Sequence, residues 1–191
     1  MRIFGIDPGS ERTGYGCVET DGSRHSLIVC GAIATRAAAS LPDKLFDIHR
    51  RLAALLDDCR PDAVAIESVF HAVNARSALK LGHARGVAML AAIEAGVRVF
   101  EYSPAEVKRA VVGYGRAEKP QVQHMVTRLL GLTVAPSPHD AADALAVAIC
   151  HVHGSPAFAA SPLRRGKVAA IVTEQPVRSR ATSWRDYNPS R

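Results

Sequence analysis

Two strand-like runs in this chain end in a carboxylate, and that placement narrows the folds open to it. Residues 2–7, RIFGID, set Ile3, Phe4 and Ile6 around a glycine and run straight into Asp7. Residues 60–67, RPDAVAIE, read as a buried strand after a proline break and stop at Glu67. Short apolar runs of this kind suit strands covered on both faces, where a charge is tolerated at the end but not in the middle. Such strands need helices on either side.

The rest of the pattern supplies them. The separators PGSER and DGS divide residues 2–7, 13–20 and 24–34 into three strands, and Asp-Gly is a hairpin signal. Helical spacing takes over at 41–58, where Leu41, Leu45, Ile48, Leu52, Leu55 and Leu56 share one stripe. A long Ala-rich helix over 73–96 closes at Gly96, and 97–102 is another strand. Residues 103–112 open a helix with Ser103 as N-cap, Pro104 in the first turn and Glu106 completing a capping box. A loop over 114–119 and a helix over 120–130 follow, then a last helix over 137–152 that again opens with Ser-Pro. Strands joined by tight turns pair antiparallel, and strands reached through helices pair parallel. The expectation is an α/β fold: a mixed five-stranded sheet, three antiparallel strands and then parallel ones, with helices on both faces.

Composition sets the outer limits. At 191 residues and 48% hydrophobic, the chain can bury one stable core. No repeat is visible, and no apolar run approaches the ~20 residues of a membrane helix. The start reads as a strand and not as a leader, so a cytoplasmic protein is expected. Cys17, Cys30, Cys59 and Cys150 have no metal-type spacing and read as small buried apolar residues. The formal charge of +6 is uneven: from residue 157 onward there are seven Lys/Arg against two acids. This separates a domain over 1–154 from a basic tail over 155–191, expected to be disordered and suited to a polyanionic partner.

The acids carry the chemistry. In a mixed sheet the strands ending at Asp7 and Glu67 can be neighbours, which puts both carboxylates at one edge. Asp140 and Asp143, three residues apart, lie on one face of the last helix. Four converging acids repel one another, and hard divalent cations such as Mg²⁺ or Mn²⁺ relieve that repulsion. Two such ions about 3.5–4 Å apart can clamp the attacking and leaving oxygens of a phosphodiester. Each acid also has a plainer reading: Asp7 as a turn starter, Glu67 as a solvated strand end, Asp140 as a charge favouring the helix dipole. Asp143, set among Ala and Leu, is the hardest to read plainly.

The stretches GIDPGSERTGYG (5–16), AIESVF (65–70), NARSALKLGHARGVA (74–88), VKRAVVGYGRAEKPQVQHMV (107–126) and HDAADALAVAICH (139–151) resemble the RuvC family of Holliday junction resolvases, within the ribonuclease H-like fold. The resemblance implies catalytic, metal-binding acids at Asp7, Glu67, Asp140 and Asp143, two Mg²⁺ ions per site with Mn²⁺ able to substitute, and paired symmetric nicks in four-way junction DNA. It implies a homodimer working with the branch-migration proteins RuvA and RuvB. It also places Lys108 and Lys119 near the active site, where a cation can hold the scissile phosphate or offset charge on the leaving oxygen. Some relatives carry histidine where this chain has Asp140, and His139 beside it is expected to make no metal contact. Phe70, three residues past Glu67 in a polar loop, either stacks on an unpaired base at the junction centre or folds back on the core. Arg76, Lys80 and Arg85 are assigned to phosphate contact, with a solvated face as the other reading. Gly82 and Gly86, on one face of the long helix, imply close backbone packing, either on the protein's own sheet or across a dimer interface.

Two other function classes stay in view. IDPGSERTGYG also suits the phosphate loop of an actin- or sugar-kinase-type phosphotransferase, though that architecture needs two such domains. A non-catalytic junction-binding module would use the basic tail but has no use for four clustered acids.

Overall fold

The computed structural model describes residues 1–68 and 74–154. Phe70 and the tail from 155 lie outside the described residues. The element order is β1 (Arg2–Asp7), β2 (Arg12–Thr20), β3 (His25–Ala34), α1 (Leu41–Cys59), β4 (Ala63–Glu67), α2 (Ala75–Glu94), β5 (Arg98–Tyr102), α3 (Pro104–Val112), α4 (Lys119–Leu129) and α5 (His139–Gly154). The five strands form one sheet in the order β3-β2-β1-β4-β5. β1 pairs antiparallel with β2, and β2 with β3; β1 pairs parallel with β4, and β4 with β5. This is the mixed five-stranded sheet, antiparallel and then parallel, expected from the connection lengths.

Local chemistry explains the boundaries. In the β2–β3 turn the Asp21 carboxylate accepts hydrogen bonds from the Ser23 and Arg24 amides, and Gly22 takes a positive φ of 104°. Ser103 and Glu106 form the expected capping box, and Asn74 caps α2 through the Ser77 amide. Glu118 and Gln121 form a second box at the start of α4. The last helix departs from expectation. It opens at His139, because Pro138 stands ahead of it with its carbonyl accepting from the Ala141 amide, so Ser137 is not its cap.

The sheet divides two cores. Ile3, Val18, Ala63 and Ala65 pack with Val107, Val111, Val126, Leu145 and Ile149 on the side of α3, α4 and α5. Phe4, Ile6, Cys17, Val64 and Ile66 pack with Ile48, Leu52, Ala84, Ala88 and Ala91 on the side of α1 and α2. The inner face of α2 is thus an alanine face. Its glycines lie elsewhere: a Cβ at Gly82 or Gly86 would meet nothing within 4 Å. The protein's own sheet therefore does not explain them.

α5 lies much closer to the sheet than an ordinary helix. A Cβ on Gly5 would fall 2.0 Å from the Ala144 carbonyl oxygen, one on Gly14 2.0 Å from the Asp140 carbonyl oxygen, and one on Gly16 2.6 Å from Leu145 Cδ2. Backbone cannot step aside as a side-chain tip can, so a methyl here must push the helix away. Gly5→Ala is expected to destabilise the protein by about 1–3 kcal/mol, read as a lowered urea midpoint.

Candidate active site at the carboxylate edge of the sheet

Side chains alternate across a strand. Ile3 faces the α5 side, Phe4 and Ile6 face the α1–α2 side, and Gly5 touches α5. Asp7 continues the Ile3–Gly5 set and so projects under α5. The same count on β4, with Ala63 and Ala65 on the α5 side, sends Glu67 to that side too. The parallel register, Ile3 with Ala63 through Ile6 with Ile66, ends the two strands level. Asp7 and Glu67 therefore meet at one edge, and their carboxyls share a hydrogen bond. The first turns of α5, held down on Gly14 and Gly5, bring Asp140 and Asp143 over them.

The electrostatics record the crowding. Burial, followed by the charges of Glu67, Asp143 and Asp140, pushes the Asp7 carboxyl up to about 8. Burial and the charge of Asp143 also raise Glu67. Two cations answer the other pair. Lys119 Nζ lies 2.5 Å from Asp143 Oδ2, a contact that raises the Lys119 pKa. Arg12 Nη1 lies 3.6 Å from Asp140 Oδ2. Lys108 stands near enough to Glu67 to favour its charged form.

Among the described residues no group of three or more His, Cys, Asp or Glu side chains is arranged to hold a metal ion as it stands. The donor chemistry nonetheless suits one. All four side chains offer hard oxygens, two of them raised in pKa by burial and by neighbouring charge and two paired with cations that a divalent ion could displace. His139 points elsewhere: its Nδ1 lies 2.6 Å from Gln123 Nε2 on α4.

The positions assigned to DNA separate. Arg76 and Lys80 are exposed on the first turns of α2. Arg85, nine residues on from Arg76, is about two and a half turns away and on the opposite side, ion-paired with Glu101 of β5. Arg12 was not singled out from the sequence. It shares strand parity with Gly14 and Gly16, which both touch α5, so the signal lay in the alternation already used for Asp7. Nearby, Lys44 is almost fully buried and holds both Glu11 carboxylate oxygens, at 2.7 and 2.8 Å, which lowers the Glu11 pKa and fixes the turn after Asp7. Thr13 Oγ1 donates to the Gly9 carbonyl at 2.7 Å within the same turn.

The raised Asp7 has a stability consequence. Its folded carboxyl holds a proton that the unfolded one releases, so in the metal-free protein the contribution of Asp7 to stability is full below the ordinary carboxyl pKa and is lost as pH rises towards about 8. Urea midpoints between pH 5 and pH 8 in EDTA should fall for the wild type and fall less for Asp7→Asn.

Comparison with known proteins accords with this geometry. The family model described as "Crossover junction endodeoxyribonuclease RuvC" matches residues 3–151. A crossover junction endodeoxyribonuclease RuvC from Koribacter versatilis is 58% identical over 156 residues, covering 81% of this chain and 94% of the relative. One from Trichlorobacter lovleyi is 49% identical over 189 residues, covering 99% of this chain and 100% of the relative. The structure of Thermus thermophilus RuvC in complex with Holliday junction substrate superposes with a TM-score of 0.77 at 39% identity, over 81% of this chain and 94% of that one. With its sheet order, its level pair of strand-end carboxylates and these similarities in agreement, the chain belongs to the crossover junction endodeoxyribonuclease RuvC family.

Proposed function

We propose that this protein is a metal-dependent endonuclease that resolves four-way DNA junctions by paired symmetric nicks, in recombination and repair. The observation that carries the reading is the meeting of Asp7 and Glu67 at the level ends of two parallel strands, beneath Asp140 and Asp143. A buried cluster of like charges raises its own free energy, and a binding function alone leaves it without a purpose. The Thermus thermophilus relative solved with a Holliday junction supports junction DNA as the substrate. A phosphotransferase of the actin or sugar-kinase type would need a second strand-turn-strand domain, and the described residues form a single sheet.

Asp7, Glu67, Asp140 and Asp143 would hold Mg²⁺, two ions per site, with Mn²⁺ able to substitute. Bound there, the metal supplies Lewis-acid stabilisation of phosphate charge and a more acidic attacking water. The chain's own groups do the rest. Asp7 and Glu67 sit on strand ends fixed by pairing on both sides, so the donor oxygens are held in place before substrate arrives. Lys119 neutralises Asp143 in the free protein and in this reading would release it and turn to the scissile phosphate. Lys108 offsets charge beside Glu67. Arg12 balances Asp140 and steadies the first turn of α5. Arg76 and Lys80, exposed on the first turns of α2, offer phosphate contacts, whereas Arg85 is engaged by Glu101.

Two symmetric nicks need two sites, and α2 carries a surface for a second copy. Leu79, Gly82, Gly86, Leu90 and Ile93 follow one another at three- and four-residue steps, one stripe on the face away from the alanine core. Leu79, Leu90 and Ile93 are 65%, 50% and 58% exposed, and Phe46 on neighbouring α1 is 65% exposed. The two glycines leave room for a partner's backbone to come close. A homodimer packs there in this reading, acting in the cytoplasm with RuvA and RuvB. No described helix is long and apolar enough to cross a membrane.

Two outcomes test the reading. On a synthetic immobile junction beside a linear duplex, wild-type protein should nick only the junction, with Mg²⁺ or Mn²⁺ and not in EDTA. Asp7→Asn should bind the junction normally and cut it at least about a hundredfold more slowly; wild-type cutting by that variant would remove the acids from the mechanism. Ile93→Glu should sediment as a monomer and lose paired nicking while keeping its helix content. A dimer persisting in that variant would place the interface elsewhere.

A further inference from the structure

Far from the carboxylates, the start of β3 and the end of α5 bring two imidazoles together. His153 Nε2 lies 3.4 Å from His25 Nε2, with ring centroids 5.4 Å apart and planes at 53°. The outer nitrogens are both anchored. His153 Nδ1 lies 3.0 Å from the Ala110 carbonyl oxygen of α3, and His25 Nδ1 lies 2.9 Å from Thr20 Oγ1. A carbonyl can only accept, so His153 carries a proton on Nδ1, and the neutral ring then presents the Nε2 lone pair to His25. Thr20 Oγ1 is itself fixed by the Gly22 amide at 3.0 Å.

A separation of 3.4 Å is long for an N–H···N hydrogen bond, whose partners ordinarily stand about 2.9–3.0 Å apart. It is the spacing two imidazole nitrogens take around one tetrahedral ion: bonds of about 2.0–2.1 Å at the tetrahedral angle put them about 3.3–3.4 Å apart. The outer contacts suit that use, since metal-bound histidines usually donate their other N–H to a carbonyl or comparable acceptor, which fixes tautomer and ring direction. Two protonated rings at this distance would repel, and His25 is accordingly lowered in pKa by burial and by His153. Neutral imidazole is the form that binds metal.

We propose that His25 and His153 form a binding site for a borderline transition-metal dication such as Zn²⁺, its remaining positions filled by water, separate from the carboxylate site and selective against Mg²⁺. Imidazole nitrogen suits Zn²⁺, Cu²⁺ and Ni²⁺, whereas Mg²⁺ takes oxygen. The bound ion ties the β2–β3 hairpin to the C-terminal end of α5, the helix whose other end carries Asp140 and Asp143. It acts as a staple on the fold and not as a catalyst.

The test is a Zn²⁺ titration of the full chain in excess Mg²⁺, followed through imidazole nitrogen NMR signals. The His25 and His153 signals should move together and saturate at one ion per chain, while that of His151, hydrogen-bonded to Tyr102 at 2.7 Å, stays in place. His25→Gln and His153→Gln should each weaken Zn²⁺ binding by about tenfold or more. The wild-type spectra need no variant to fold, and the unchanged His151 signal reports that the variants have. If Zn²⁺ moves only signals near the carboxylates, or if both variants bind it as tightly as wild type, the site does not exist.

Discussion

The first turns of α5 rest on bare backbone. With Gly5, Gly14 and Gly16 beneath it, the helix comes within a methyl group's thickness of β1 and β2, and its carboxylates reach the end of β1. Ordinary side chains at those positions would hold α5 off the sheet and lift Asp140 and Asp143 away from Asp7 and Glu67. The glycines give up conformational entropy and buried apolar surface, and what they allow is a close approach that no other residue permits.

That approach is also a liability, because it drives acids together. The fold answers with local neutralisation on both sides of the crowded pair. Lys119 reaches Asp143 from the start of α4, and Arg12 reaches Asp140 from the start of β2. Asp7 and Glu67 share a hydrogen bond and a reluctance to ionise. In the proposed function, a divalent cation would relieve this crowding by taking the place of the shared proton.

The outer surface of α2 shows a different use of the same residue type. Gly5, Gly14 and Gly16 are filled by the protein's own helix, while Gly82 and Gly86 face open space amid exposed Leu79, Leu90 and Ile93. A glycine in a helix weakens it unless something uses the room. From the sequence alone the helix glycines fitted an internal contact as well as an external one. The packing separates the two, because the buried face of α2 is occupied by Ala84, Ala88, Ala91 and Ala92.

Much of this was legible in one dimension. Element order, the antiparallel-then-parallel sheet, the Ser103 capping box and the four acids all follow from periodicity and turn chemistry, which act between residues close in the chain. The opening of the last helix was misjudged by two residues, since Ser-Pro reads as a cap whether or not Pro138 lies inside the helix. Arg12 was missed although strand parity pointed to it. What only the tertiary structure decided are the pairings that cross the chain: Lys44 with Glu11, Arg85 with Glu101, Lys119 with Asp143, and His25 with a histidine 128 residues away. The physical reason is range. A local pattern fixes which face a side chain takes, but a partner across the fold is set by how closely helix and sheet pack, and three glycines determine that distance.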